Sequence, residues 1–102
     1  MSKKRNITTA TLEWQGITIE VSYEPAYLGV EDSLAHLQVR AVTPQGSPLP
    51  MTETGYRSHF VSRVYIEDEG GPVPYVLAWL EAEAAKPEWK KRQEKARQLS
   101  LF

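Results

Sequence analysis

Cysteine is absent from the 102 residues, which excludes a disulfide framework and every thiolate metal site. Histidine occurs only at His36 and His59. No zinc-type ligand spacing surrounds either, so neither a metal nor a cofactor is expected. No stretch approaches the ~20 consecutive apolar residues that a membrane span needs. The opening MSKKRNITTA is basic with no apolar run behind it, which argues against a secretory signal and for the cytoplasm. A Gly-rich phosphate loop, a nucleophile elbow and an HExxH pattern are all missing. No catalytic residue is assigned, and the expectation is a protein that is not an enzyme. What is present is globular composition, 41% hydrophobic and 25% charged, at a length that suits one domain.

The formal net charge of −1 hides an uneven distribution. Lys3, Lys4 and Arg5 open the chain, and residues 86–97 carry a balance of +4. The stretch between them, 6–85, holds three bases and eleven acids. Basic ends on an acidic body suit nucleic acid or an acidic protein face. Lys90, Lys91, Arg92, Lys95 and Arg97 are therefore candidate nucleic-acid contacts. The plainer alternative is a solvated basic helix.

Patterning divides the chain into strands followed by helices. Leu12 and Trp14 alternate with polar residues; Ile17, Ile19, Val21 and Tyr23 then alternate in the opposite parity. The switch at Gln15-Gly16 is a two-residue turn between antiparallel strands, or a bulge. Glu24-Pro25 closes the second strand, since proline lacks the donor and restricts its predecessor. Residues 25–33 read as a loop. HLQVRAV follows as a half-buried strand with Leu37, Val39 and Ala41 inward. TPQGSPLPMTETG is a long irregular connection, and GYRSHFVS a fourth strand with Tyr56, Ser58 and Phe60 inward.

Beyond Glu67-Asp68-Glu69-Gly70-Gly71 the period changes to helical. Val73, Val76, Leu77, Leu80 and Ala84 form one apolar stripe that buries against the sheet. Lys86-Pro87 breaks this helix, and Pro87 starts a second one through about Gln98. Trp89, Ala96 and Leu99 are its few apolar residues. The expected fold class is α+β: a small antiparallel sheet of about four strands covered by one amphipathic helix, then a basic helix and an extended tail. The expected organisation is a body over 1–85 with residues 1–8 disordered, the basic helix over 86–97, and a docking tail over 98–102.

Three segments are candidates for function. Glu53, Tyr56, Arg57 and His59 gather hydrogen-bonding and titratable groups at a loop-to-strand junction, where anion binding or acid–base work is often sited. As plain structure, Arg57 and His59 would alternate onto the solvent face. Ser58 and His59 make no catalytic pair, because strand neighbours point to opposite faces. Trp14, Tyr23, Tyr27 and Tyr65 would suit base stacking, yet their alternation suits a core better and the acidic body opposes phosphate. Glu67-Asp68-Glu69 reads as a solvated or helix-capping acidic turn rather than a cation site.

The third segment is the final QLSLF, two leucines and a phenylalanine after a polar helix that offers them little apolar track. Gln98, Leu99, Ser100, Leu101 and Phe102 match at all five positions the pentapeptide by which bacterial proteins bind the replicative sliding clamp, and the segment resembles it closely. The resemblance implies a flexible peptide docking into a preformed hydrophobic cleft on the clamp. Leu101 and Phe102 would fill the main pocket and Gln98 a neighbouring subsite, with Leu99 and Ser100 completing the extended backbone. Ordering such a tail costs about 1 kcal/mol or more per residue, so micromolar affinity is expected. TETGYRSHF, with the GGPVPYV…W helix and the QLSLF end, also resembles small uncharacterised proteobacterial proteins linked to mobile elements, which brings no activity. The leading expectation is a clamp-docking accessory protein involved with DNA replication. Its rival is a nucleic-acid-binding or anti-restriction-type protein of a mobile element that uses the basic helix.

Overall fold

A computed structural model describes residues 7–26 and 34–99. Four strands, β1 (Thr8–Trp14), β2 (Ile17–Glu24), β3 (Leu34–Thr43) and β4 (Tyr56–Ser62), form one antiparallel meander in the order β1-β2-β3-β4. Three helices follow: α1 (Arg63–Asp68), α2 (Pro72–Ala84) and α3 (Pro87–Leu99). The class is α+β, as the patterning predicts.

The first hairpin turns at Gln15-Gly16, where both residues have positive φ (48° and 79°). That backbone twist matches the right-handed twist of the flanking strands, and glycine adopts it at no steric cost. Trp14 therefore pairs with Ile17 and Leu12 with Ile19. Thr8, placed in the disordered start by its sequence, already opens β1 opposite Tyr23; residues 1–6 lie outside the described residues, as do residues 27–33 of the predicted loop.

One face of the sheet carries the core. Leu12, Trp14, Ile19, Val21, Tyr23, Leu37 and Val39 are buried there beneath Ile66 of α1 and Val76 and Leu80 of α2. Each fully buried aliphatic side chain contributes roughly 1.5–3 kcal/mol. Val73, Leu77 and Ala84 flank that contact half-buried, so the predicted stripe of α2 is the one that packs. Leu49 and Met51 are also buried, so the irregular connection after β3 contributes to the core instead of looping over it.

That connection is held close to the sheet. Gly55 has φ of 81°, and a Cβ there would lie 2.8 Å from the Ser47 carbonyl oxygen. Only glycine lets the 46–47 turn approach the start of β4 so nearly. No described helix packs on the opposite sheet face, which displays Thr11, Glu20, Arg40 and Tyr56 in one cross-strand row.

Candidate functional site

α3 begins at Pro87, whose missing N–H costs nothing at a helix start. Its charges suit its dipole, with Glu88 in the first turn and Arg97 in the last. Trp89 is its anchor, buried to 8% exposure, with its ring centroid 5.9 Å from that of Trp14. Arg92 is a second fastener. Its Nη2 donates to the Pro50 carbonyl at 2.9 Å, its guanidinium lies 5.2 Å from the Trp89 ring centre, and Glu53 is 3.9 Å away.

Beyond Gln93 the helix leaves the body. Glu94, Lys95, Ala96, Arg97 and Gln98 are all exposed. Lys90, Lys91 and Lys95 also face solvent, whereas Arg92 is committed to the Pro50 loop. The basic cluster named from sequence is thus divided. Gln98 and Leu99 form the last residues of α3, so the helix extends one residue past its predicted end and enters the tail assigned to 98–102. Ser100, Leu101 and Phe102 lie outside the described residues.

A groove of about 470 Å³ runs between α3 and the loop that carries Glu53, with Pro48, Trp89, Gln93 and Ala96 among its lining residues. The indole N–H of Trp89 is buried with no hydrogen-bond partner.

The segment Glu53, Tyr56, Arg57, His59 does not converge. Glu53 turns toward α3. Tyr56 lies on the open face, donating to Gln38 Oε1 at 2.9 Å beneath the Arg40 guanidinium, 5.2 Å from its ring centre. Arg57 and His59 lie on the other face, which corrects the parity expected from sequence. Register is the reason: Val39 opposes Arg57 and Leu37 opposes His59, so these two share the face of the buried β3 residues.

Arg57 donates to the Met51 carbonyl at 3.2 Å and sits 5.7 Å from the Trp79 ring centre. His59 packs 4.4 Å from Trp79, with its Nε2 3.2 Å from the Tyr75 hydroxyl. Burial, and then Arg57, lowers the His59 pKa. Burial, and then Glu69, raises that of Tyr75. The neighbours of His59 are Trp79, Tyr75 and Arg57, and the geometry is that of a packed aromatic corner.

Sequence reasoning missed a different pairing. His36 Nε2 lies 2.7 Å from the Ser58 hydroxyl, and its ring stacks on Phe60 at 4.3 Å. Shared parity across β3 and β4 was the available signal. The candidate stacking aromatics also separate: Trp14 and Tyr23 are core, Tyr65 is 63% exposed, and Tyr27 lies outside the described residues. Glu67 belongs to α1, paired with Arg63 at 3.2 Å. Among the described residues no group of acids and histidines has metal-binding geometry, and no helix is long and apolar enough to cross a membrane.

The fold and its exposed basic helix define a small α+β domain with a helical C-terminal extension. A family model described as the KlcB third domain matches residues 7–89, and the chain belongs to that family. The match spans the sheet, α1, α2 and the anchor Trp89, and stops before the exposed part of α3. No curated protein and no solved structure matches the chain.

Proposed function

We propose that the chain is a non-enzymatic accessory or adaptor protein of a bacterial cytoplasm that docks on the DNA polymerase sliding clamp through Gln98, Leu99, Ser100, Leu101 and Phe102. The observation that carries this reading is the exposure of every residue from Glu94 to Gln98. α3 brings the chain to the first motif residue in solvent, not along the core. The family match ends at Trp89, before the pentapeptide begins, which supports reading the pentapeptide as an element separate from the matched domain. Docking in extended form releases Gln98 and Leu99 from the last turn of α3. Terminal turns lack intrahelical acceptors or donors and fray at little cost.

Calorimetric titration of the full chain into purified clamp tests this. The expected result is micromolar binding that Leu101→Ala/Phe102→Ala abolishes while the thermal melt stays unchanged. Equal binding by the double variant overturns the proposal.

A second reading is favoured by the exposure of Lys90, Lys91 and Lys95: a nucleic-acid-binding or anti-restriction-type protein of a mobile element. It expects DNA affinity that falls steeply with salt and drops when Lys90 and Lys91 are neutralised. Arg92 contributes least there, since the Pro50 carbonyl and the Trp89 ring already hold it.

A further inference from the structure

The two edges of the sheet are treated differently. In an antiparallel pair, alternate residues exchange hydrogen bonds with the neighbour, and the residues between them direct N–H and C=O away from it. The Ala41 N–H donates to the Gly55 carbonyl at 2.7 Å, so Tyr56 directs its groups outward from β4. The Tyr56 carbonyl there accepts from the Thr52 hydroxyl at 2.9 Å and from the Thr54 hydroxyl at 3.3 Å. The chain turns into α1 directly after Ser62. One end of the β4 edge is thus covered by its own loop, and at the other end the strand stops where α1 begins.

β1 has no such cover among the described residues. The Gln15-Gly16 turn makes Trp14 and Ile17 a hydrogen-bonded pair, so Thr9, Thr11 and Glu13 direct N–H and C=O outward. TTATLEW contains no proline and no lysine, and its register with β2 shows no bulge. These are the usual guards of an edge strand. The strand is instead rich in β-branched threonine, which favours pairing.

We infer that β1 pairs with β1 of a second copy, antiparallel about a two-fold axis through Thr11, which doubles the four-stranded sheet. In this register Thr11 faces Thr11 and Thr9 faces Glu13, and the outward backbone groups of all three are satisfied. Threonine pairs and charge-to-hydroxyl pairs are favourable cross-strand neighbours. Glu13 is the one charge on the strand, and its carboxylate already accepts from the Thr18 hydroxyl. Centring the axis on Glu13 would set two carboxylates face to face; centring it on Thr11 keeps them apart. On the inner face Ala10 opposes Leu12, small against large.

The helices give the pair a second contact. α2 packs over β1 and β2, and a two-fold axis perpendicular to the sheet keeps the helices of both copies on one side. With paired strands about 4.8 Å apart, the two α2 helices come side by side near the roughly 8–10 Å spacing of packed helices. Glu81, which accepts from Trp14 Nε1 at 3.4 Å, marks the flank of α2 nearest β1. Leu77 and Pro74 share that flank by helical spacing.

Sedimentation velocity of the full chain over a rising concentration series tests the pairing. The expected result is a reversible monomer–dimer equilibrium. Thr11→Pro removes only an outward N–H, which an edge strand tolerates, and Thr11→Lys adds an edge guard; each weakens the dimer by about tenfold or more. Thr11→Cys, then the sole cysteine, forms a disulfide dimer on oxidation, because Cα atoms in such a pair lie ~5.5 Å apart. Thr9→Cys, facing Glu13, does not. A chain that stays monomeric at the highest concentration overturns the inference. So does a dimer that Thr11→Lys leaves unmoved, or one in which Thr9→Cys cross-links as fast as Thr11→Cys.

Discussion

α2 and α3 are both 13 residues long and both start on a proline, Pro72 and Pro87, yet they are held in opposite ways. α2 sinks Val76 and Leu80 into the sheet and flanks them with half-buried neighbours. α3 buries Trp89 and ties down Arg92, and its residues from Glu94 to Gln98 stand in water. Helices of this length are marginal by themselves, so the difference lies in tertiary anchoring. A helix held along its whole stripe belongs to the domain. One pinned at its first two turns can present its far end to a partner while the domain stays intact.

The sharpest break in this contrast comes from the core. Leu80→Ala leaves a cavity under α2 and is expected to cost about 3–4 kcal/mol of global stability, read by chemical denaturation. Trp89→Ala costs less, about 2 kcal/mol, because α3 can detach as a unit and the substitution also removes a buried indole N–H that has no hydrogen-bond partner. Its signature is local. Hydrogen exchange across α3 speeds up while the amides of β2 and β3 stay protected. Loss of protection throughout the sheet would mean that α3 is part of the core unit after all.

The smallest effect concerns the corner where α2 reaches toward β4. Burial and Arg57 lower the His59 pKa below 6.5, with Tyr75 and Trp79 packed on the ring from α2. As pH falls below 6.5 the unfolded chain takes up a proton that the folded chain still refuses. Stability is therefore full above that pH, declines as pH falls toward the lowered folded value, and levels off beneath it. His59→Gln should flatten this part of the pH profile without changing stability at neutral pH by much. An unchanged slope would assign it to the carboxylates.

Much of the architecture was legible from residue patterns. The reversal of parity at Gln15-Gly16, the end of β2 at Glu24, the inward set of β3 and the stripe of α2 all appear where periodicity puts them. β4 was misread because both of its parities are plausible interiors. Tyr56, Ser58 and Phe60 look like core residues, while the stems of Arg57 and the ring of His59 pack as well against Trp79 and Tyr75. α1 was missed because six residues are too few to show a helical period. The candidate site was less legible still. Glu53 and His59 are six residues apart, yet they lie on different sides of the inner layer, one toward α3 and one beneath α2.

Sequence alone determined the meander, the break between two helices at Lys86-Pro87, the acidic body with its basic extension, and the pentapeptide with its resemblance to a docking motif. These are local properties, carried by alternation, turn chemistry and side-chain type within a few residues. Tertiary structure alone decided which face β4 buries, that Leu49 and Met51 leave their loop for the core, that Arg92 is a fastener while Lys90, Lys91 and Lys95 remain available, and that β1 is the unguarded edge. Each depends on pairing between strands distant in the chain or on what packs beside a helix. No local pattern encodes those neighbours, since a strand or helix of given amphipathicity fits several of them equally well until the register across the sheet is set.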